Sequence, residues 1–149
     1  LIVFVGGTRT DVETFKKRFG NEEGISIVGF RPHSEIPLWQ KAADVLVLPN
    51  SGKEEISRHW TSPMKLFEYM ASERPIVASD LSSIREVVDG KSVYFTPPDD
   101  ASALAEGIRK ILADGELAGR LSKKAREEVE NHSFERRAGR ILSFIEKNI

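Results

Sequence analysis

Short apolar runs alternate with longer amphipathic stretches along most of the chain. The runs are nearly continuous in apolar residues, as in strands buried on both faces of a parallel sheet. They predict strands at residues 1–5, 25–28, 44–48, 76–78 and 92–95. Apolar positions three and four apart predict helices at residues 11–19, 34–43, 62–71, 83–88, 101–113, 116–131 and 134–148. This alternation predicts an α/β fold with a doubly wound, Rossmann-like parallel sheet and right-handed crossovers.

The helix predicted at residues 62–71 is unusually apolar. Ser62 is a good N-cap, and Pro63 suits the first helical position, where its missing N–H has no partner to lose. A helix that is apolar nearly all round is typically buried. The narrow polar face formed by Lys65, Glu68 and Ser72 is therefore expected to contact a ligand or another part of the protein. The remaining circumference is covered by Met64, Leu66, Phe67, Tyr69, Met70 and Ala71.

Lys65 and Glu68 indicate which ligand this face would bind. The dipole of a helix favours an anion at its first turn, where Lys65 stands. A cation fits there if a phosphate docks on the free N–H groups of Met64, Lys65 and Leu66. Glu68, one turn further on, would then accept hydrogen bonds from sugar hydroxyls. The alternative is that Lys65 and Glu68 form an ordinary solvated pair, three residues apart.

The loops that follow the predicted strands are the next candidates, because ligands bind beyond the carboxyl ends of parallel strands. These loops are residues 6–8, 29–32, 49–62 and 79–82. The third is long and polar, which is unusual inside a compact domain and favours a functional role. Within the loops, Phe30 is either a core residue or a ligand contact. Trp60 packs either on a sugar or on the loop itself, and Asp80 is predicted to close a turn.

Several helix starts carry recognisable caps. Ser83 and Glu86 match a capping box for the helix at residues 83–88. Asp100 and Ser133 precede two later helices and are predicted to cap them. A cap is also the expected role of the paired carboxylates at Asp99 and Asp100, in preference to acid–base chemistry.

Composition places the chain among ordinary globular proteins. It has 149 residues, of which 40% are hydrophobic and 30% charged, enough for one domain with a real core. The net charge of −1 gives no field that would attract nucleic acid or a membrane surface. The absence of cysteine excludes disulfides and thiolate metal sites. No apolar run reaches the ~18 residues of a transmembrane helix.

The segment 62–80, SPMKLFEYMASERPIVASD, resembles the donor-binding signature of retaining GT-B glycosyltransferases, the glycosyltransferase group 1 (family 4) class. That family pairs two glutamates, of which the second matches Glu68 and implies a contact with the ribose hydroxyls of a nucleotide sugar. The first glutamate, which lies near the transferred sugar in the family, corresponds to position 60. This sequence has Trp60 there and so departs from the family pattern. In the family, the nucleobase of the donor lies beside the segment that follows the strand matching residues 25–28. The resemblance implies donor contacts at Phe30, Arg31, Trp60, Ser62, Met64, Lys65, Leu66 and Glu68.

The resemblance also implies a larger protein. We expect residues 1–149 to be the donor-binding domain of a two-domain enzyme, lacking the first βα unit and its Arg–Lys pair, and inactive alone. The expected partners are a nucleoside-diphosphate sugar and an N-terminal acceptor domain, with the acceptor unknown and no nucleic acid, metal or other cofactor. No residue of this chain is assigned a catalytic role. The expected location is cytoplasmic, or the inner membrane surface for the longer protein.

Two other functions fit parts of the sequence. A GT-B-like sugar-nucleotide epimerase shares the fold and a carboxylate on the ribose. A regulatory domain of the receiver type needs acidic residues at its first strand ends and a phosphoacceptor aspartate. Residues 5–7 and 48–50 contain no such residues, which disfavours the regulatory domain.

Overall fold

The structure, a computed structural model, describes residues 1–60 and 64–149. The predicted N-cap Ser62 and the helix-starting Pro63 lie outside these residues. The chain forms two compact units, Leu1–Trp39 and Gln40–Ile149. Each is described by itself below.

The first unit is a parallel strand pair with its connecting helix. Strand β1 (Ile2–Val5) pairs with β2 (Ile25–Gly29), and helix α1 (Arg9–Phe19) joins them. The helix begins earlier than predicted because Thr8 caps it. The Thr8 hydroxyl accepts the N–H of Asp11, and the Asp11 carboxylate accepts the N–H of Thr8.

The second unit is built on a three-stranded parallel sheet in the order β3–β4–β5. Strands β3 (Leu46–Leu48) and β5 (Tyr94–Thr96) are shorter than predicted, and β4 (Ile76–Ser79) is one residue longer. Helix α2 (Ile36–Ala42) follows a 3₁₀ turn and crosses the boundary between the units. The later helices, α3 to α7, are Met64–Ala71, Ser82–Arg85, Ala101–Ala113, Gly115–Val129 and Phe134–Asn148.

The central strand β4 is buried on both faces. Ile76 and Ala78 belong to one apolar cluster, together with Leu66 of α3. Val77 points to the opposite face and joins a second cluster with Ile111 of α5. Helices therefore cover both faces of this sheet, and the predicted α/β, Rossmann-like fold is confirmed.

Two of the predicted helix caps are confirmed. Asp100 accepts the N–H of Ala103, and the Ser133 hydroxyl accepts the N–H of Arg136. The predicted capping box of Ser83 and Glu86 is wrong, because Leu81 occupies the N-cap position of α4.

The last helix, α7, packs little of its surface. It has no buried residue, although its apolar side chains form a stripe as the periodicity predicts. Along the part of the chain that the structure describes, none of the helices combines the length and the apolarity needed to cross a bilayer. The exposed large apolar residues of α7 are Phe134, Ile141, Leu142, Phe144 and Ile145.

Gly107 allows α5 to approach β5 closely, so Gly107→Ala is expected to destabilise the protein. An added Cβ would lie 2.8 Å from Cγ2 of Thr96 and 3.1 Å from Cε1 of Tyr94. Overpacking of this kind costs about 1–3 kcal/mol, against a gain of about 1 kcal/mol from helix propensity. The free energy of unfolding in urea measures the balance.

Gly119→Ala in α6 is the matched control, because an added Cβ there meets nothing within 4 Å. We expect this variant to be as stable as the parent or more stable, by up to about 1 kcal/mol. Equal stabilisation by the two substitutions would show that α5 does not approach β5 as closely as described.

Candidate functional site

The candidate site lies in the second unit, where segments follow the carboxyl ends of β3, β4 and β5. Ligands of parallel α/β sheets bind at this edge. Residues 49–60 follow β3, Asp80 and Leu81 follow β4, and residues 97–100 follow β5. Helix α3 begins shortly after the first of these segments.

The segment after β3 is not the irregular loop that the sequence predicts. It contains a turn of π-helix, Ile56–Trp60. The backbone N–H groups of Ser57 and Arg58 donate to the carbonyl oxygen of Glu54, each at 3.1 Å. The Trp60 side chain is 79% exposed, so it does not pack on its own segment. An aromatic face is thereby open to solvent near the start of α3.

Helix α3 is half-buried, and the prediction that it is buried nearly all round is wrong. Leu66 and Met70, one turn apart, are fully buried against the sheet. Met64 is 61% exposed, and Lys65 is exposed as well. The first turn thus presents the Lys65 cation to solvent, while the Leu66 side chain anchors the helix in the core.

Glu68 differs from a solvated surface residue. Its carboxylate is half-buried and accepts a hydrogen bond from Nε2 of Gln40 at 3.1 Å. Gln40 itself is only 8% exposed. Burial of the Tyr69 side chain, and then the charge of Glu68, raise the pKa of the Tyr69 hydroxyl. A carboxylate oriented by a buried amide does not fit the solvated-pair alternative.

Sequence reasoning missed Gln40. A weak indication of its role is present in the sequence, because Gln40 lies one helical turn after Ile36 on the apolar side of α2. A polar residue at a core-facing position has to find a hydrogen-bond partner. That partner is 28 residues away in the sequence, so it could not be named from the local pattern.

Asp80 follows β4, and its backbone and side chain both bond to other segments; the turn that the sequence predicts it to close stays a prediction. Its backbone N–H donates to the carbonyl oxygen of Thr96 at 2.8 Å. Its carboxylate accepts two hydrogen bonds from Arg85, which lower the pKa of Asp80. The Arg85 guanidinium also lies 4.3 Å from the ring centroid of Phe95. This arrangement ties the loop after β4 to strand β5.

Asp99 joins the segments that follow β3 and β5. Its carboxylate accepts the N–H of Gly52 at 2.9 Å. Hydrogen bonds from the Ser51 hydroxyl and from Gly52 lower the pKa of Asp99. Asp99 has φ = 59°, a left-handed conformation that aspartate tolerates better than most residues. Its role is therefore a link between two loops, not the helix cap that the sequence predicts.

The predicted donor contacts fall in different places. Met64, Lys65, Leu66 and Glu68 share α3, and Ser62 lies outside the described residues. Phe30 and Arg31 follow β2 in the first unit. Phe30 is 74% exposed, so it is not a core residue, and its contact with a nucleobase stays a prediction.

Across residues 1–60 and 64–149, the structure brings together no group of three or more His, Asp or Glu side chains able to hold an ion.

Comparison with known proteins identifies the family. The model of the family "Glycosyl transferases group 1" matches residues 1–114. An alpha-D-kanosaminyltransferase of Streptomyces kanamyceticus is 28% identical over 121 residues, which cover 80% of this chain and 30% of the relative. A phosphatidyl-myo-inositol mannosyltransferase of Mycobacterium leprae is 32% identical over 140 residues, which cover 93% and 36%. The chain thus spans about a third of the length of these relatives.

Solved structures show the same fold. A sucrose-phosphate synthase from Thermosynechococcus elongatus aligns with a TM-score of 0.75 at 25% identity, over 99% of this chain and 39% of that protein. HepE of Anabaena, solved in complex with UDP, aligns with a TM-score of 0.76 at 19% identity, over 97% and 40%. The family model matches most of this chain, and the fold agrees with it. The chain therefore belongs to the group 1 glycosyl transferases.

Proposed function

We propose that this chain binds the nucleotide-sugar donor of a retaining, family 4 glycosyltransferase. The observation that carries the proposal is the half-buried Glu68 carboxylate, which Gln40 orients one turn after the exposed residues Met64 and Lys65. A carboxylate can accept two hydroxyl hydrogen bonds at once, which matches the neighbouring hydroxyls of a ribose. Several structural neighbours contain UDP or UDP-glucose, which supports a donor of this class.

The donor diphosphate is proposed to bind at the start of α3. The first N–H groups of a helix have no partner within the helix, and the dipole adds positive potential there. Lys65 adds a full positive charge in the same turn, where it would attract an anion. Phosphates at Met64–Leu66 would leave the ribose within reach of Glu68, since successive turns of a helix are about 5 Å apart.

The names of the relatives support a proposal for the activity of the whole protein. We propose that a longer protein uses this chain together with an N-terminal acceptor domain to transfer a sugar to an acceptor. Closing two domains around donor and acceptor supplies the orientation and water exclusion that such a transfer needs. The relatives are named as glycosyltransferases, which favours transfer over the epimerase alternative and over a regulatory domain.

Titration of the isolated chain with UDP, GDP and ADP tests this proposal. We expect weak but saturable binding of at least one of these by calorimetry, because Glu68 and the α3 amides are present in this chain. We also expect no release of UDP from UDP-glucose in the presence of glycan or lipid acceptors, because residues 1–149 span about a third of the length of the relatives and transfer is proposed to need an acceptor domain as well. Failure to bind any nucleoside diphosphate would contradict the donor-binding role, and robust transfer would contradict the need for a second domain.

A further inference from the structure

Two serine side chains of α4 hold the segment that leads into α3. The Ser82 hydroxyl donates to the carbonyl oxygen of Arg58 at 2.7 Å, and the Ser83 hydroxyl donates to that of Ser57 at 2.9 Å. The Ser82 oxygen also lies 3.0 Å from Nδ1 of His59. Three consecutive residues of the π-helical turn are therefore tied to the start of α4.

These hydroxyls do not make the local bonds expected of them. Serine in the first turn of a helix usually bonds to nearby backbone groups of its own segment. Here Leu81 occupies the N-cap position, and both serines donate to a segment more than twenty residues earlier. Ser83 is 5% exposed, so its hydroxyl could not turn to water if this bond were lost.

The other end of the segment is anchored separately. Gly52 donates its N–H to Asp99 in the loop after β5. Between the two anchors, residues 53–56 are exposed. The serines thus fix the half of the segment that is nearer to α3 in the sequence, and Trp60 is the last residue of that half.

We infer that Ser82 and Ser83 are positioning residues for the nucleoside diphosphate, acting through residues 57–60. This inference rests on the proposed function. Residues 57–60 follow the carboxyl end of β3, the edge of the sheet where ligands bind, and Trp60 is one of the predicted donor contacts. A segment that is already held in place loses less conformational freedom when a ligand binds beside it, so the ligand binds more tightly.

Trp60 provides a direct reporter of the held segment. The chain has two tryptophans, Trp39 and Trp60, so Trp39→Phe leaves Trp60 as the sole source of tryptophan fluorescence. In this background, S82A/S83A is expected to lower the fluorescence anisotropy of Trp60, because the segment moves more freely. It is also expected to raise the dissociation constant for UDP by about tenfold, since two hydrogen bonds that support the bound geometry are lost.

Matched variants separate positioning from general effects. S122A also removes a serine hydroxyl that donates to a backbone carbonyl, that of Gly119, but within α6. We expect it to leave both the anisotropy and the affinity unchanged. S82T keeps the hydroxyl and should therefore keep the anisotropy and the affinity of the parent, whereas the single variant S82A should lower both. Urea unfolding of each variant checks that the titrations compare folded proteins. Because Ser82 is exposed, the single variant S82A is expected to fold even if S82A/S83A does not.

The outcomes distinguish this inference from the function on which it rests. If the parent binds UDP and S82A/S83A binds it equally well, the serines do not position the donor, although the donor site stands. If S122A weakens binding as much as S82A/S83A, the effect is general and the inference is overturned. If the parent binds no nucleoside diphosphate, the proposed function fails and the inference fails with it.

Discussion

Replacing Glu68 with glutamine is expected to raise the dissociation constant for UDP tenfold or more and to leave the urea midpoint nearly unchanged. Glutamine keeps the shape of the side chain and an oxygen to accept the hydrogen bond from Gln40, so the local packing is preserved. It loses the negative charge and one acceptor toward the ribose. Hydrogen bonds to a charged group are worth about 1.5–3 kcal/mol each, and about 1.4 kcal/mol corresponds to a tenfold change in affinity.

Glu128→Gln is the matched control for this substitution. Glu128 is also a half-buried glutamate of the second unit and accepts a hydrogen bond from Ser92, but it lies on α6. We expect its variant to bind UDP as the parent does. Unchanged affinity in Glu68→Gln would show that Glu68 does not bind the donor. Unfolding of that variant would instead make its role structural, with the polar face of α3 contacting protein and not ligand.

Leu66→Ala is expected to cause the largest loss of stability. Leu66 has no exposed surface and packs in the cluster that includes Ile76 and Ala78 of β4. Truncating a buried leucine typically costs about 2–5 kcal/mol, because apolar contacts are lost and a cavity remains. Phe67 is half-buried and packs against the ring of His132 at 5.2 Å, so its alanine variant should lose less. Urea unfolding of each variant gives the free energies.

Leu112→Ala in α5 shows what the same substitution costs at the surface. Leu112 is 57% exposed, and its variant should stay within about 0.5 kcal/mol of the parent. Equal losses at Leu66 and Leu112 would mean that α3 is not packed on the sheet as described. The donor-binding face would then lack its support.

The strands could be predicted because a strand buried on both faces is a continuous run of apolar residues in the sequence. The run at residues 76–78 is apolar at every position, which is expected only when both faces of a strand are covered. In the structure, Ile76 and Ala78 lie in one cluster and Val77 in the other. The caps at Asp100 and Ser133 could also be predicted, because each bonds to the N–H of a residue three positions later.

Contacts between distant segments could not be predicted from the same local patterns. Ser83 has the spacing of a capping box, yet its hydroxyl donates to Ser57, 26 residues earlier. A local rule compares only local partners, whereas here the hydroxyl donates to a backbone carbonyl in a distant segment of the chain. Gln40 was overlooked for a related reason, because its partner Glu68 comes near only once the chain has folded.

The burial of strand β4 has a consequence for how such a protein diversifies. Every residue of β4 is buried, and β4 pairs with strands on both sides, whereas residues 53–56 of the neighbouring segment are exposed. Substitutions in those exposed positions leave the core contacts intact and change the free energy of folding little. Residues 53–56 can therefore change in evolution while the sheet and its core stay the same. Laboratory libraries confined to residues 53–56 would retain a high fraction of folded members.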